Sequence, residues 1–338
     1  MKIFPRRGDW FSLLLRWTII LVVIIISLMF FTKMPGSSYS GPLPPLSENE
    51  QRVRINLKQQ ISMLAEKIGE RNIWEYNNLK ASAHYIEKVM TELDYEVKKQ
   101  EYRVEDVSVE NLEWELIGAR HPEEIILVGA HYDTVLGSPG ANDNASGVAA
   151  VLEIARLLKT ETLSRTVRFV TFVNEEPPFF QTDKMGSSVY ASRSRQRGEK
   201  IVAMLSLETI GCYCDEKGSQ KYPFPFSFFY PDTGNFIGFV GNVSSRPLVR
   251  EAIEIFRSNT AFPSEGIAVP SWIMGIDWSD HWSFWKEGYS AIMITDTALF
   301  RYQYYHSHQD VPDRIDYERM ARVVVGISQI IRELSTVK

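Results

Sequence analysis

Cysteine is nearly missing from this 338-residue chain: Cys212 and Cys214 are its only two, with one residue between them. A bridge between such close neighbours would close a tiny, strained loop, and two thiols are too few for a zinc knuckle. They read as packing residues in a strand or turn, so stability must come from the core and from any bound metal. An excess of basic charge is missing too. Lys and Arg number 37 against 42 Asp and Glu, a net charge of −5. That balance argues against a phosphate-binding surface, and so against nucleic acid as the main partner. Internal repeats and low-complexity tracts are absent as well, which excludes a solenoid. Apolar residues are plentiful: the chain is 44% hydrophobic and 12% aromatic, enough for the packed core of one large α/β enzyme.

The longest apolar run lies at the N-terminus. Lys2, Arg6, Arg7 and Arg16 precede an apolar stretch from Trp17 to Phe31, and Lys33 follows it. As a helix that stretch reaches only ~22 Å, short of a ~30 Å hydrocarbon core. Adding Phe11 to Leu15, with Arg16 snorkelling, gives about 21 residues and a full span. The positive flank places the bulk of the protein on the extracytoplasmic (in a bacterium, periplasmic) side. No Ala-x-Ala site follows the run directly, which favours an anchor over a cleaved signal peptide. The small residues Gly36 to Ser40 keep cleavage, and hence secretion, as the alternative.

The chain therefore divides into an anchor or signal (1–34), a Pro/Gly/Ser-rich linker (35–46) and one catalytic domain (47–338). Ser47 and Glu50 form a capping-box pattern, and Leu57, Ile61, Leu64, Ala65 and Ile68 share one face of the helix that follows. A second helix carries Leu79, Ala83, Ile86, Met90 and Leu93. Antiparallel strands are expected from Tyr95 to Ile117, then a buried strand at Ile125. Beyond it helix and strand alternate: helices at 146–159, 187–197, 246–258 and 317–334, strands at 167–173, 201–207, 236–240 and 291–295. This rhythm predicts an α/β fold, a mixed, largely parallel central sheet with helices on both faces.

Polar residues interrupt that pattern at the strand ends. Ile125 to Ala130 runs into His131, Val167 to Val173 into Asn174-Glu175-Glu176, and Ile201 to Leu207 into Glu208. The carboxyl ends of strands form the ligand-binding edge of an open α/β sheet. One such residue is most simply a solvated loop group; three strands delivering acid or imidazole to one edge are not. Imidazole with carboxylates suits a divalent metal. Adjacent glutamates on extended chain point opposite ways, so one can ligate a metal while the other takes a proton from a bound water.

These motifs resemble those of the M28 zinc aminopeptidases. The matching strings are Gly129-Ala130-His131-Tyr132-Asp133, Gly140-Ala141-Asn142-Asp143-Asn144-Ala145-Ser146-Gly147, Asn174-Glu175-Glu176, Glu208-Thr209-Ile210-Gly211 and Tyr305-His306-Ser307-His308-Gln309-Asp310. Ser279-Asp280-His281-Trp282 also matches. The resemblance implies two zinc ions bridged by Asp143, with His131 and Glu208 completing one site and Glu176 and His306 the other. It implies Glu175 as general base, Asp133 as the group orienting His131, and Tyr305 as a donor to the oxyanion. Many members carry Asp where this chain has Glu208; the added methylene asks the site to adjust. His306, rather than His308, fits the Tyr-His-x-x-x-Asp spacing. His281 reads as packing near the site, and His84 and His121 as non-functional.

The implied activity is an aminopeptidase acting on peptides with a free N-terminus. A glutaminyl-peptide cyclotransferase, with the same fold and one zinc, is the alternative enzyme; the intact Asn142-to-Gly147 string favours the two-metal hydrolase. A carboxypeptidase of the same superfamily would need a basic pocket that the sequence does not reveal. A membrane-tethered binding domain with a decayed site would have lost ligands, and none is lost. The walls of the substrate pocket are expected from 209–236 and from Trp272 to Trp285.

Overall fold

The computed structural model describes residues 7–336; Lys2 and Arg6 of the positive N-terminal flank lie outside them. Eight strands form one mixed sheet: β1 (Lys98–Val104), β2 (Val107–Leu116), β3 (His121–His131), β4 (Arg165–Phe172), β5 (Lys200–Glu208), β6 (Ile237–Gly241), β7 (Ser264–Ala268) and β8 (Ala291–Thr295). Their spatial order is β1-β2-β4-β3-β5-β8-β6-β7. The centre, β4-β3-β5-β8, is parallel. The β2 strand pairs antiparallel with β4 at one border, and β6 antiparallel with β8 at the other. Central strands are covered on both faces, so Ile126, Leu127, Val128, Val170 and Leu205 are all buried and the sequence reads as apolar runs rather than alternation.

One face carries α2 (Glu48–Ile61), α3 (Tyr76–Thr91), α4 (Gly147–Leu158) and α8 (Tyr317–Ser335), whose apolar stripes merge with β3 and β4 into the main core. The other carries α5 (Gly186–Gln196) and the short α7 (His281–Lys286), packed through Tyr190 and Phe284 on Leu127, Val170 and Phe172. The α6 helix (Arg246–Asn259) covers β6 and β7. The capping box of α2 is formed: Glu50 N–H donates to Ser47 Oγ at 3.3 Å, and Ser47 N–H to Glu50 Oε2 at 2.7 Å. This helix does not run unbroken to Ile68. It stops at Ile61, and the chain continues in a wider-wound turn, Ser62–Ile68, ending at Gly69 with φ +89°. Two elements had no sequence signal: β7 is a five-residue edge strand with a central glycine, and α7 is too short for periodicity to register.

At the N-terminus, α1 (Arg7–Thr32) contains a 23-residue apolar span, Trp10–Thr32, none of it buried. At 1.5 Å per residue it is about 35 Å long. The segment beyond it follows the domain surface. Met34 is buried against Gly266, Arg257 donates to the Pro35 carbonyl at 2.8 Å, Ser264 N–H donates to Ser38 Oγ at 2.9 Å, and Arg322 reaches the Pro44 carbonyl at 2.6 Å.

Candidate active site

The parallel strands end side by side. His131 closes β3, Glu208 closes β5, and Glu175 and Glu176 sit three and four residues beyond the end of β4 at Phe172. The Gly140–Gly147 loop folds across this edge into α4. Its two end glycines have separate reasons. Gly140 adopts φ +61°, and a Cβ there would meet the Asp143 carbonyl oxygen at 2.4 Å; at Gly147 a Cβ would meet the Leu207 carbonyl oxygen at 2.4 Å. Between them Asp143 is aimed at His131, while Asn142 and Asn144 lock the loop from within. Asn142 accepts from Gly211 N–H at 2.8 Å and donates to Asp296 Oδ2 at 2.9 Å; Asn144 donates to the Leu207 carbonyl at 2.8 Å.

The five expected ligands converge as two triads that share Asp143. Around one oxygen, His131 Nε2 lies 3.3 Å from Asp143 Oδ1 and 3.3 Å from Glu208 Oε2. Around the other, His306 Nε2 lies 3.1 Å from Asp143 Oδ2 and 3.2 Å from Glu176 Oε2. Donors bound tetrahedrally to zinc at 2.0–2.1 Å stand about 3.3 Å apart, so these spacings fit an ion within each triad. Two atoms support the fit: His131 Nε2 and Glu176 Oε1 are buried with no hydrogen-bond partner among the described residues. Glu175 Oε2 stands further off, 3.9 Å from His131 Nε2. A third grouping, His131 with Glu175 and Glu176, also lies within ligand reach, although neighbouring glutamates leave it no separate bridging group.

Burial without metal forces these groups to compete for protons. Burial, with Glu176 and Glu208 beside it, holds Glu175 well above the usual carboxylate range, and burial with Asp143 nearby pushes Glu176 up to about 8. Glu208 is raised by burial. Asp143 moves the other way: burial opposes its charge, but the two histidines hold it down. His306 rises to about 10 against its burial, because Asp143 and Glu176 accept from it.

Asp133 stands where it can act on three site residues. Its Oδ1 accepts from Glu175 N–H at 3.1 Å and its Oδ2 from Glu176 N–H at 3.2 Å, while His131 Nδ1 lies 3.3 Å from its backbone carbonyl and 3.6 Å from Oδ1. The side chain therefore sets the backbone of the glutamate pair at least as much as the imidazole. Tyr305 stacks on His306 at 3.8 Å, and burial among the carboxylates keeps its phenol protonated far above neutral pH. His281 is buried on Trp285, bonded to the Ile276 carbonyl and lowered to about 4 by burial, as a packing residue would be. His308 is exposed and outside both triads.

Sequence reasoning gave no role to several supports. Arg71 is fully buried, and its guanidinium donates to the carbonyls of Leu64, Gly69, Tyr132, Pro139 and Gly140. It ties the turn after α2 to the connection between β3 and α4. Asp310 accepts from the N–H groups of Asn142 at 2.8 Å and Asp143 at 3.1 Å, and from Tyr302. Ser279 donates to Glu208 Oε2 at 2.8 Å. Three non-glycine residues at the site also have left-handed backbone: Asn174 (φ +59°), Thr209 (+44°) and His306 (+55°). Such conformations cost on the order of 1–3 kcal/mol each and persist where surrounding contacts over-determine them.

Beside the triads opens a cleft walled chiefly by apolar residues including Phe226, Phe236, Ile273, Ile276 and Met293, with Glu208 and Tyr305 also in its lining. Its walls come from the irregular segment around 220–236 and from 273–278, as expected, and also from 295–300 and from strand residues of β6, β7 and β8, which were not.

Comparison with known proteins agrees with this geometry. The model of "Peptidase family M28" matches residues 111–331. The uncharacterized protein YfbL of Escherichia coli (strain K12) is 36% identical over 322 residues, covering 93% of this chain and 96% of YfbL. Aminopeptidase YwaD of Bacillus subtilis (strain 168) is 38% identical over 104 residues, 30% of this chain and 21% of YwaD. YfbL aside, the chain spans about half or less of the curated relatives it matches. Among solved structures, BSAP, a zinc aminopeptidase from Bacillus subtilis, superposes with a TM-score of 0.68 at 15% identity, over 84% of this chain and 95% of BSAP. Fimbriiglobus ruber glutaminyl cyclase gives 0.59 at 20% identity, over 86% and 98%. At such identities the likeness is one of fold. By the family match and the full-length relative, the chain belongs to peptidase family M28, a family of zinc metallopeptidases.

Proposed function

We propose that this protein is a two-zinc aminopeptidase. The observation that carries the reading is Asp143, whose two oxygens face two separate triads, His131 and Glu208 on one side and Glu176 and His306 on the other. Zinc bound there would lower the pKa of a water and polarise the scissile carbonyl. Glu175 would take the proton from a water held there and pass it to the leaving amine; its carboxylate lies close to His131 and Glu176 and is in neither of the two triads that share Asp143. Asp133 fixes Glu175 and Glu176 through their backbone N–H groups, so base and ligand move as one unit. Tyr305, protonated, donates to the carbonyl oxygen as it gains charge. The apolar cleft beginning at Glu208 and Tyr305 takes an apolar N-terminal side chain. The cyclotransferase reading shares the fold but leaves one triad without a purpose.

Trp10–Thr32 serves as a membrane anchor, with residues 47–338 as the catalytic domain on the extracytoplasmic side. Its length, its apolar composition and the absence of any buried residue support this. The relatives named as zinc metalloproteases and aminopeptidases support the metal and the activity. The test is metal analysis of the purified full chain alongside a panel of aminoacyl-anilides. Two zinc ions per chain, and turnover that chelator abolishes and zinc restores, are expected. One ion per chain, or undiminished turnover after exhaustive chelation, would sink the two-metal reading.

A further inference from the structure

The loops that wall the cleft carry an apolar surface that the catalytic reading does not use. Phe224 is 84% exposed, Phe228 76%, Trp272 79% and Met274 58%. Of these only Met274 faces the cleft; Phe224, Phe228 and Trp272 do not line it. Phe224 and Phe228 meet edge to face at 6.1 Å, so they form one patch rather than scattered side chains. Aromatics that point outward from loops need a partner of low polarity.

The location of the patch identifies that partner. Phe31, in the last turn of α1, packs against the small cluster built from Phe226, Val240, Val269, Ile276 and Met293, together with Tyr222, Tyr230 and Ile273. These are residues of the same two loops and of the strands beneath them. The helix is further fixed by Arg246, which donates to the Phe30 carbonyl at 3.0 Å and stacks over the Phe30 ring at 3.9 Å, and by Arg250, which donates to the Lys33 carbonyl at 2.8 Å. The apolar span ends at Thr32, so the loops held against Phe31 lie at the depth where the chain leaves the hydrocarbon. Exposed Trp and Phe favour that depth, and Lys33, Arg246 and Arg250 would lie among lipid phosphates there.

We propose that the 222–230 and 272–274 loops dock on the surface of the bilayer that α1 spans, holding the mouth of the cleft at the lipid interface. The inference rests on the reading of α1 as an anchor and adds where the site faces. Its consequence is a substrate class: peptides that are themselves partitioned into the interface through apolar segments or acyl chains, their free N-termini presented at the headgroups. A water-soluble peptide would gain nothing from this arrangement.

The test places nitroxide labels at Phe228→Cys and Trp272→Cys in full-length protein carrying Cys212→Ser and Cys214→Ser, reconstituted in phosphatidylcholine–phosphatidylglycerol vesicles. Lys88→Cys, whose native side chain is 63% exposed on α3 near the opposite edge of the sheet, is the control. Labels at 228 and 272 are expected to relax with oxygen and not with a water-soluble nickel chelate, and the label at 88 the reverse. Water-accessible labels at 228 and 272, on protein that resists alkaline carbonate, would overturn the docking and leave the anchor intact. Release by carbonate would overturn both. Each label is placed singly, and dipolar broadening between singly labelled copies would assign the patch to a second copy and overturn the lipid proposal.

A second arm reads function. The triple variant Phe224→Ser, Phe228→Ser, Trp272→Ser should hydrolyse a soluble aminoacyl-anilide at the parent rate. On a vesicle-bound acylated peptide it should lose on the order of tenfold, the effect of losing an orienting contact beside a tether. Equal rates for the variant and its parent on the vesicle-bound peptide would count against the proposal.

Discussion

On one side of Glu208 each functional side chain or its backbone is held by named partners: Asp133 under the two glutamates, Asp310 under Asn142 and Asp143, Ser279 on Glu208. On the other side the cleft is walled by aromatic and aliphatic residues from three irregular segments and from β6, β7 and β8 beneath them, positioned by packing. The triads are a polar network, in which losing one partner strands another buried group. The cleft is a shaped apolar surface, which tolerates change in proportion to volume. Chemistry should therefore fail abruptly on one side, and selectivity drift gradually on the other.

The sharpest break is Glu175→Gln. It should leave zinc content intact while turnover falls about 10²–10⁴-fold, the usual weight of a general base; a wild-type rate would remove Glu175 from the mechanism. Next, Arg71→Leu leaves five carbonyls without their donor, and denaturant unfolding should report a loss of about 3 kcal/mol or more. A change below about 0.5 kcal/mol would show the clamp to be dispensable.

On the cleft side, Ile273→Trp should lower kcat/KM for leucyl- and phenylalanyl-anilides by about 10–200-fold, with alanyl-anilide least affected. A uniform loss on all three would mean that the cleft does not hold the N-terminal side chain. Glu208→Asp, which keeps the carboxylate and removes one methylene, should retain two metals and change turnover by no more than about tenfold.

The smallest effect concerns proton competition in the metal-free protein. Glu176 binds a proton more tightly when folded, with its pKa moved from 4.5 to about 8. Its contribution to stability is therefore full below pH 4.5 and is lost as pH rises toward 8. His306, raised from 6.5 to about 10, drifts the same way above pH 6.5. The melting temperature of the metal-free protein should fall by a few degrees between pH 5 and pH 8, and zinc should remove the slope. A rising slope would contradict the crowding of charge inferred for the site.

The same contrast explains what could be read from the sequence. His131, Glu175, Glu176 and Glu208 stand where apolar strand runs stop, so their convergence followed from the periodicity of the sheet. Asp143 and His306 were legible only through their motifs, since nothing periodic places a loop. Arg71 was invisible: it lies in a connecting segment, and its partners are backbone carbonyls, which leave no trace in side-chain identity. β7 was missed because Ser264-Glu265-Gly266-Ile267-Ala268 shows neither an apolar run nor a clean alternation, and α7 because six residues are too few to show a helical period. The cleft walls could be assigned to segments but not to a shape, because Phe226 or Ile276 is placed by tertiary packing alone.

Asp310 joins the N–H groups of Asn142 and Asp143 across a sequence separation of 167 and 168 residues. The residue shared by the two triads is thus braced by one that lies late in the sequence, only a few positions after His306. A chain that ends before His306 would retain His131, Glu176 and Glu208 yet have an unbraced Asp143 and no second imidazole. Both triads, with the brace on Asp143, would be complete only when the chain as far as Asp310 has joined the fold.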